Sequence, residues 1–370
     1  MGAGAGSREG GLGEGEASWS AFRRAEKSYA LRHVERRRGR RTRLMPVPTR
    51  MLHEAPREGA AALVDFDAVK APEGVLSTVA PCGQRVCSLA GVEGVCVLPA
   101  ALDVVEERRM AAQALSGWLS PQVSRTNLLD VQRDAWYMAM HGECAPWVVV
   151  SGAGGAQNAG EATKKRGRLR WATLGRQFEW NTRNYVNSEE ATSEASAGGR
   201  PPLPEELAAL GERCAAIAVA TGALPPHRQP EYDAAIVNYY NQPSDTLCGH
   251  TDDTEMDLDV PLVSISLGAP CVFLLGGDTV DEAPRALLLR GRDVLLMAGA
   301  ARRRYHAVPR ILSCDENIEG EENARVGRRL RERKGDLRGD GSARSGEAGD
   351  AIDKWLARSR ININLRDSSE

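Results

Sequence analysis

From residue 234 onward the chain repeats short apolar runs, at 234–240, 262–267, 271–275, 286–289, 294–298 and 361–365. Turn residues separate them: Gly249, Gly268-Ala269-Pro270, Gly276-Gly277, Gly291 and Gly299. Runs this short suit strands with a buried face and are too short for helices. Many short strands at this spacing read as a β-sandwich or jelly roll. The expected fold class is therefore mainly β with flanking helices (α+β), built on a jelly roll.

The rest of the chain divides around that core. Residues 1–45 read as a disordered basic tail, Gly- and Glu-rich at first and then arginine-dense through Arg36-Arg37-Arg38-Gly39-Arg40-Arg41. The basic stretch is either a solvated tail, a nuclear address, a nucleic-acid arm or an organelle-targeting helix. Residues 46–230 read as an N-terminal helical and nucleotide-recognition lid region, with a strand at 91–99, helices at about 102–119 and 205–221, and linkers at 151–162 and 188–204. Residues 231–370 hold the strand-rich core. An insertion at 313–353, made almost wholly of Glu, Asp, Arg, Lys and Gly, interrupts it and is expected to be exposed.

Composition narrows the class. The 370 residues carry a net charge of only -2, so nucleic-acid contact has to come from local basic patches. No apolar run reaches the about 18 residues that a membrane span needs. The eight cysteines are scattered without a Cys-x-x-Cys pair, which speaks against a structural zinc site and a disulfide framework and for a reducing compartment.

The chemistry concentrates in three places. In a strand, residues i and i+2 point to the same side, so His250 and Asp252 converge on one point. Alone the pair is weak, and most such pairs are structural. His306 is the candidate third ligand, because only His250 and His306 of the six histidines fall in the strand-rich region. Two histidines and one carboxylate leave three positions open on a metal. That number suits a chelating 2-oxo acid plus dioxygen, whereas a zinc hydrolase needs one. The C-terminal run Arg360-Ile361-Asn362-Ile363-Asn364-Leu365-Arg366 alternates strictly, with Arg360, Asn362, Asn364 and Arg366 on one face. The bland reading is a strand with a solvent face. A row of donors without an acid fits a bound carboxylate better. Arg366 is expected to grip the distal carboxylate of 2-oxoglutarate, with Arg360 behaving similarly. Asn238 and Tyr240 repeat the i, i+2 spacing and add donors.

The stretch NYYNQPSDTLCGHTDDTEMDLDVPLVSISLG, followed by FLLGG, GRDVLLMAGAARRRYHAVPRIL and RININLR, resembles the AlkB family of nucleic-acid dioxygenases. Within it the chain is most similar to the subgroup of the first human homologue, which also has a long insertion before the last strand. The resemblance implies a double-stranded β-helix. It assigns His250, Asp252 and His306 to iron, and Asn238, Tyr240, Arg360, Asn362 and Arg366 to 2-oxoglutarate. It implies Fe(II), 2-oxoglutarate and O2 as cofactors and oxidative removal of N-methyl groups from nucleobases in tRNA or DNA. The target base must be unpaired or flipped out to reach the metal.

Leu169-Arg170-Trp171-Ala172-Thr173-Leu174-Gly175 resembles the subgroup's nucleotide-recognition lid, preceded by Lys164, Lys165, Arg166 and Arg168. Basic residues interleaved with an aromatic suit phosphate contact and base stacking. Trp171, Phe178 and Glu255 are the candidate substrate contacts. Glu255 and its neighbour Asp257 equally suit turn caps. The expected partner is nucleic acid as substrate, with no membrane and a monomeric chain. The expected location is intracellular: nucleus, mitochondrion or cytoplasm. A 2-oxoglutarate oxygenase acting on a protein side chain is the alternative, and it would not need the basic lid.

Overall fold

The computed structural model describes residues 19–30, 63–68, 72–120, 123–127, 165–179, 184–186, 201–241, 245–312 and 352–369, together with the strands 34–37, 40–43 and 147–150. Two sheets dominate. The larger has nine strands in the spatial order Val75–Val79, Arg85–Leu89, Val92–Leu98, Val294–Met297, Leu262–Gly268, Arg360–Arg366, Ala234–Tyr240, Trp171–Gly175 and Arg125–Thr126. The smaller has five, in the order Leu247–His250, His306–Ile311, Cys271–Leu275, Arg285–Leu289 and Leu63–Asp65. All pairs are antiparallel except the one between Arg285–Leu289 and Leu63–Asp65. The six apolar runs all form strands, and the chain has the fold of a jelly-roll oxygenase core.

The C-terminal strand shows how period-2 patterning builds the site. It lies inside the nine-stranded sheet, between Ala234–Tyr240 and Leu262–Gly268. Ile361, Ile363 and Leu365 are fully buried and pack with α2 (Val104–Leu115) and α3 (Glu205–Ala220) on the outer face. Each such side chain contributes roughly 1.5–3 kcal/mol on burial. The alternate residues turn inward, toward the five-stranded sheet. There Phe273, Leu275, Leu287, Leu295, Met297 and Val308 make a second core that holds the sheets together.

The covering helices start and stop as their sequences dictate. Asp103 caps α2, accepting the Glu106 N–H at 2.7 Å while Glu106 accepts the Asp103 N–H at 2.9 Å. Glu205 and Glu206 favour the positive N-terminus of α3, and Gly222 ends it at φ +69°. Gly211 lets α3 approach closely: a Cβ there would come within 2.7 Å of Tyr232 and 2.8 Å of Leu365. No helix among the described residues is long and apolar enough to cross a membrane.

Three expectations need correction. The tail expected to be disordered over 1–45 contains helix α1 (Ala21–Tyr29), whose Phe22, Ala25 and Tyr29 are buried. Their i, i+3, i+7 spacing is one helical stripe, hidden among arginines. Residues 34–37 and 40–43 pair as antiparallel strands. Second, the region 46–230 is not chiefly helical, since it supplies the strands 75–79, 85–89, 92–98, 125–126 and 171–175 of the large sheet. Third, the insertion ends earlier than expected. Most of it lies outside the described residues, as does the 151–162 linker, but Ile352, Trp355 and Leu356 are buried and the Asp353 carboxylate pairs with Arg108. Apolar residues at 352, 355 and 356 form a helical contact that the charged composition obscured.

Candidate active site

His250 ends the edge strand of the small sheet and His306 begins its neighbour, so the ladder sets them directly opposite each other. Their ring centroids are 4.2 Å apart. Asp252 follows His250 by two residues and points back at both: its Oδ1 is 4.0 Å from His250 Nε2 and its Oδ2 3.5 Å from His306 Nε2. The three ligand atoms all lie within 4.8 Å of one another. Main-chain oxygens fix the ring orientations. His250 Nδ1 is 2.9 Å from the Cys248 carbonyl and His306 Nδ1 is 3.2 Å from the Arg304 carbonyl. A carbonyl accepts only, so each Nδ1 carries the proton and each Nε2 offers its lone pair to the cluster. Burial, reinforced by the nearby His306, lowers the pKa of His250 and keeps it neutral. Phe273 stacks on His306 at 5.6 Å. This donor set fits an octahedral ion that keeps one face open.

The inward face of the C-terminal strand supplies the other half. Arg360, Asn362 and Asn364 line a cleft with His250, Asp252, His306, Ser264 and Phe273. Cross-strand pairing sets Tyr240 opposite Arg360, and sets Asn238 opposite Asn362, with Trp171 opposite Asn238. Arg360 is 1% exposed, donates from Nη2 to Ser266 Oγ at 2.7 Å, and has no carboxylate partner among the described residues. Its Nε and the buried Tyr240 hydroxyl lack hydrogen-bond partners among the described residues. A buried guanidinium without an anion costs several kcal/mol. The arrangement therefore fits an anionic ligand entering from the cleft. Asn362 Nδ2 is held by Ser264 Oγ at 2.9 Å and the Ile265 carbonyl at 3.1 Å.

Arg366 does something else. Its Nη2 donates to Asp252 Oδ1 at 2.6 Å and its Nη1 to Glu255 Oε1 at 2.7 Å. In the structure both ends of the Arg366 guanidinium, expected to face a distal carboxylate, are taken by protein carboxylates. Arg360 has the free anion-binding capacity. The Glu255 carboxylate accepts from Arg366, Arg302 and the Tyr185 hydroxyl, the last at 2.5 Å. Burial pushes the carboxyls of Asp252 and Glu255 up, but Arg366 together with His306 and His250 beside Asp252, and with Arg302 and Tyr185 beside Glu255, outweighs it and holds Asp252 well below the usual range and Glu255 below it. Asp257 accepts the Asp259 N–H at 3.0 Å and pairs with Arg228, in keeping with the turn reading.

In the lid, Trp171 is half-buried on the inward-facing row, and Phe178 is buried edge-to-face against Tyr185 at 5.2 Å. Phe178 therefore helps join the paired strands Gln177–Glu179 and Asn184–Val186. Arg170, expected near phosphates, is taken by Asp245 at 2.7 Å. Sequence reasoning missed Tyr185 and Arg302. Tyr185 stands alone in a polar stretch and carries no pattern. Arg302 lies in a run of three arginines that reads as surface, yet it is 2% exposed and donates to the Asp252 carbonyl at 2.8 Å.

A metal-ready face of two histidines and one carboxylate, beside a buried arginine awaiting an anion, defines an iron- and 2-oxo-acid-dependent oxygenase. The model of the 2OG-Fe(II) oxygenase superfamily matches residues 149–366. The chain is 31% identical to the DNA N(6)-methyladenine demethylase ALKBH1A of Arabidopsis thaliana, over 95% of this chain and 96% of that protein. It is 34% identical to the tRNA demethylase abh1 of Schizosaccharomyces pombe over 54% of this chain and 52% of that one. It is 39% identical to the human nucleic acid dioxygenase ALKBH1 over 44% of this chain and 37% of that one. The chain belongs to the 2OG-Fe(II) oxygenase superfamily and, within it, to the ALKBH1 subgroup of the AlkB family. It is a dioxygenase that uses Fe(II), 2-oxoglutarate and O2.

Depressed carboxyl pKa values set an acid limb to stability. The folded chain holds Asp252 and Glu255 ionised where the unfolded chain binds protons, so their contribution is fully present above the ordinary carboxyl pKa of about 4 and is lost as pH falls below it. In Arg366→Met both carboxyls lose that partner, and the melting temperature, measured in the metal-free protein, should depend less steeply on pH between about 5 and 3. An unchanged acid slope would mean that Arg366 does not hold them.

Proposed function

We propose that this protein oxidatively demethylates N-methylated nucleobases in tRNA or DNA. The single observation that carries the reaction type is the buried, anion-free Arg360 facing the His250-Asp252-His306 cluster across one cleft. The nucleic-acid substrate is supported by the relatives' named activities on DNA and tRNA and by the aromatic and basic residues at 164–185.

In this reading His250, Asp252 and His306 hold iron, each through the atom that already points at the cluster centre. Arg360 and Tyr240 bind the distal carboxylate of 2-oxoglutarate, with Asn238 and Asn362 on the neighbouring row. Arg366 acts on the metal side: it keeps Asp252 ionised and aimed, and Glu255 shares its charge. Trp171 supplies a stacking surface where its row reaches the lid. The bound iron and co-substrate supply the oxidising power: one O2 converts 2-oxoglutarate to succinate and CO2, and the methyl group leaves as formaldehyde with a proton in its place on nitrogen.

Two outcomes follow. Incubation with methylated tRNA and DNA should lower one or more N-methyl nucleosides, read by mass spectrometry, with matching formaldehyde; succinate release without any nucleoside change would count against a nucleic-acid substrate. Arg360→Ala should raise the 2-oxoglutarate half-saturation about a hundredfold or more, from the roughly 3–5 kcal/mol at stake when a buried carboxylate loses its charged partner. Arg360→Lys should recover only part, because an ammonium lacks the paired geometry. A wild-type half-saturation in Arg360→Ala would remove the co-substrate assignment.

A further inference from the structure

The strand that ends in His250 is weakly determined by its sheet. It is an edge strand of four residues, Leu247–His250, with a single neighbour. Its ladder to the His306 strand pairs Leu247 with Val308 and His250 with His306, with an irregularity between. An edge strand so short frays readily, and metal ligands need positions held within about 0.5 Å.

Helix α1 covers this weakness. The Gly249 N–H donates to Glu26 Oε1 at 2.9 Å, and Glu26 is buried at 8% exposure. The second Glu26 oxygen accepts from Arg23 Nη1 at 2.8 Å. Beside it the Phe22 ring lies against two glycines: a Cβ on Gly249 would come within 2.7 Å of Phe22 Cε1, and a Cβ on Gly276 within 2.8 Å of Phe22 Cδ2. Both glycines leave room for the ring. Phe22 also meets the Tyr305 ring at 6.0 Å, and the Tyr305 carbonyl accepts the Gly276 N–H at 2.7 Å. Gly249 precedes His250 and Tyr305 precedes His306. One face of one helix thus touches the residue before each histidine.

We propose that α1 is a clamp that sets the two iron-binding histidines, with Phe22 and Glu26 as its positioning residues. The proposal rests on the reading of His250, Asp252 and His306 as the metal ligands. The rest of α1 adds apolar area: Ala25 and Tyr29 pack with Val272, Leu274, Ala286 and Leu288 on the outer face of the small sheet. The acceptor for the Gly249 N–H is Glu26 and the ring against Gly249 and Gly276 is Phe22, whereas Tyr29 contributes buried area to the same helix, so it separates positioning from general stability.

The test uses the full chain. Mn(II) affinity is measured by calorimetry, and amide exchange is followed at Leu247–His250. Phe22→Ala and Glu26→Ala should each weaken Mn(II) binding about tenfold or more, the size of effect seen when support behind a metal ligand is removed. Both should speed exchange at Gly249. Phe22→Leu and Glu26→Gln, which keep the fill and the acceptor oxygen, should return most of the affinity. Tyr29→Ala should lower the melting temperature and leave Mn(II) binding near wild type. Should Phe22→Ala not fold, Glu26→Ala carries the test, since it removes little apolar area. Wild-type affinity in Glu26→Ala, or an equal loss in Tyr29→Ala, overturns the clamp. His250→Ala reports on the ligand reading itself: it should abolish binding, and binding that survives there removes the ligand assignment and the clamp with it.

Discussion

The structure turns on one buried charge network. Arg366, at the end of the C-terminal strand of the large sheet, reaches across to Asp252 and Glu255, which follow the last strand residue of the small sheet's edge. Arg302 closes the network from the other side of Glu255. All four side chains are largely buried, and buried charges are tolerated only when paired and hydrogen-bonded. The network therefore fixes where the ligand loop sits relative to the donor row. Its arginine and carboxylates come from different sheets, so it ties the two halves of the site together across the apolar core.

The two arginines of the C-terminal strand divide the labour. They share one face and one chemistry, yet among the described residues Arg366 is paired with carboxylates and Arg360 is not. The difference comes from what each meets across the sandwich. Arg366 meets the acidic loop after His250, and Arg360 meets Ser266, the Ala269 carbonyl and the cleft. One arginine belongs to the metal's surroundings, and the other holds unspent capacity for an anion. This is how a row of like donors can serve two ligands at once.

Much of this was legible in the sequence. The alternation of RININLR gave the inward and outward faces correctly, because a strand inside a sheet flanked by helices on one side leaves the pattern intact. His250, Asp252 and His306 were found by spacing and scarcity, and the structure brings them together. Arg366's partners were not legible: choosing between Arg360 and Arg366 requires knowing which acid lies opposite, and that is set by long-range pairing. Helix α1 was missed for a different reason. Its Phe22, Ala25 and Tyr29 stripe is short, and the surrounding arginines make the average composition read as solvated. Strand Val75–Val79 is exposed along most of its length and so carries little hydrophobic signal. The arginine and tyrosine partners of Glu255 were not legible, since burial cannot be read from one acidic residue in a polar run.

The central claim is that one cleft holds both iron and 2-oxoglutarate, in contact with each other. A 2-oxo acid chelating Fe(II) gives a visible charge-transfer absorption that neither gives alone. Titrating 2-oxoglutarate into the Fe(II)-loaded protein without oxygen measures it directly. The account predicts a visible band that saturates at about one co-substrate per chain, as a single cleft requires, and that disappears in Asp252→Ala. A protein that binds both components yet shows no such band, or a band that survives in Asp252→Ala, would contradict it.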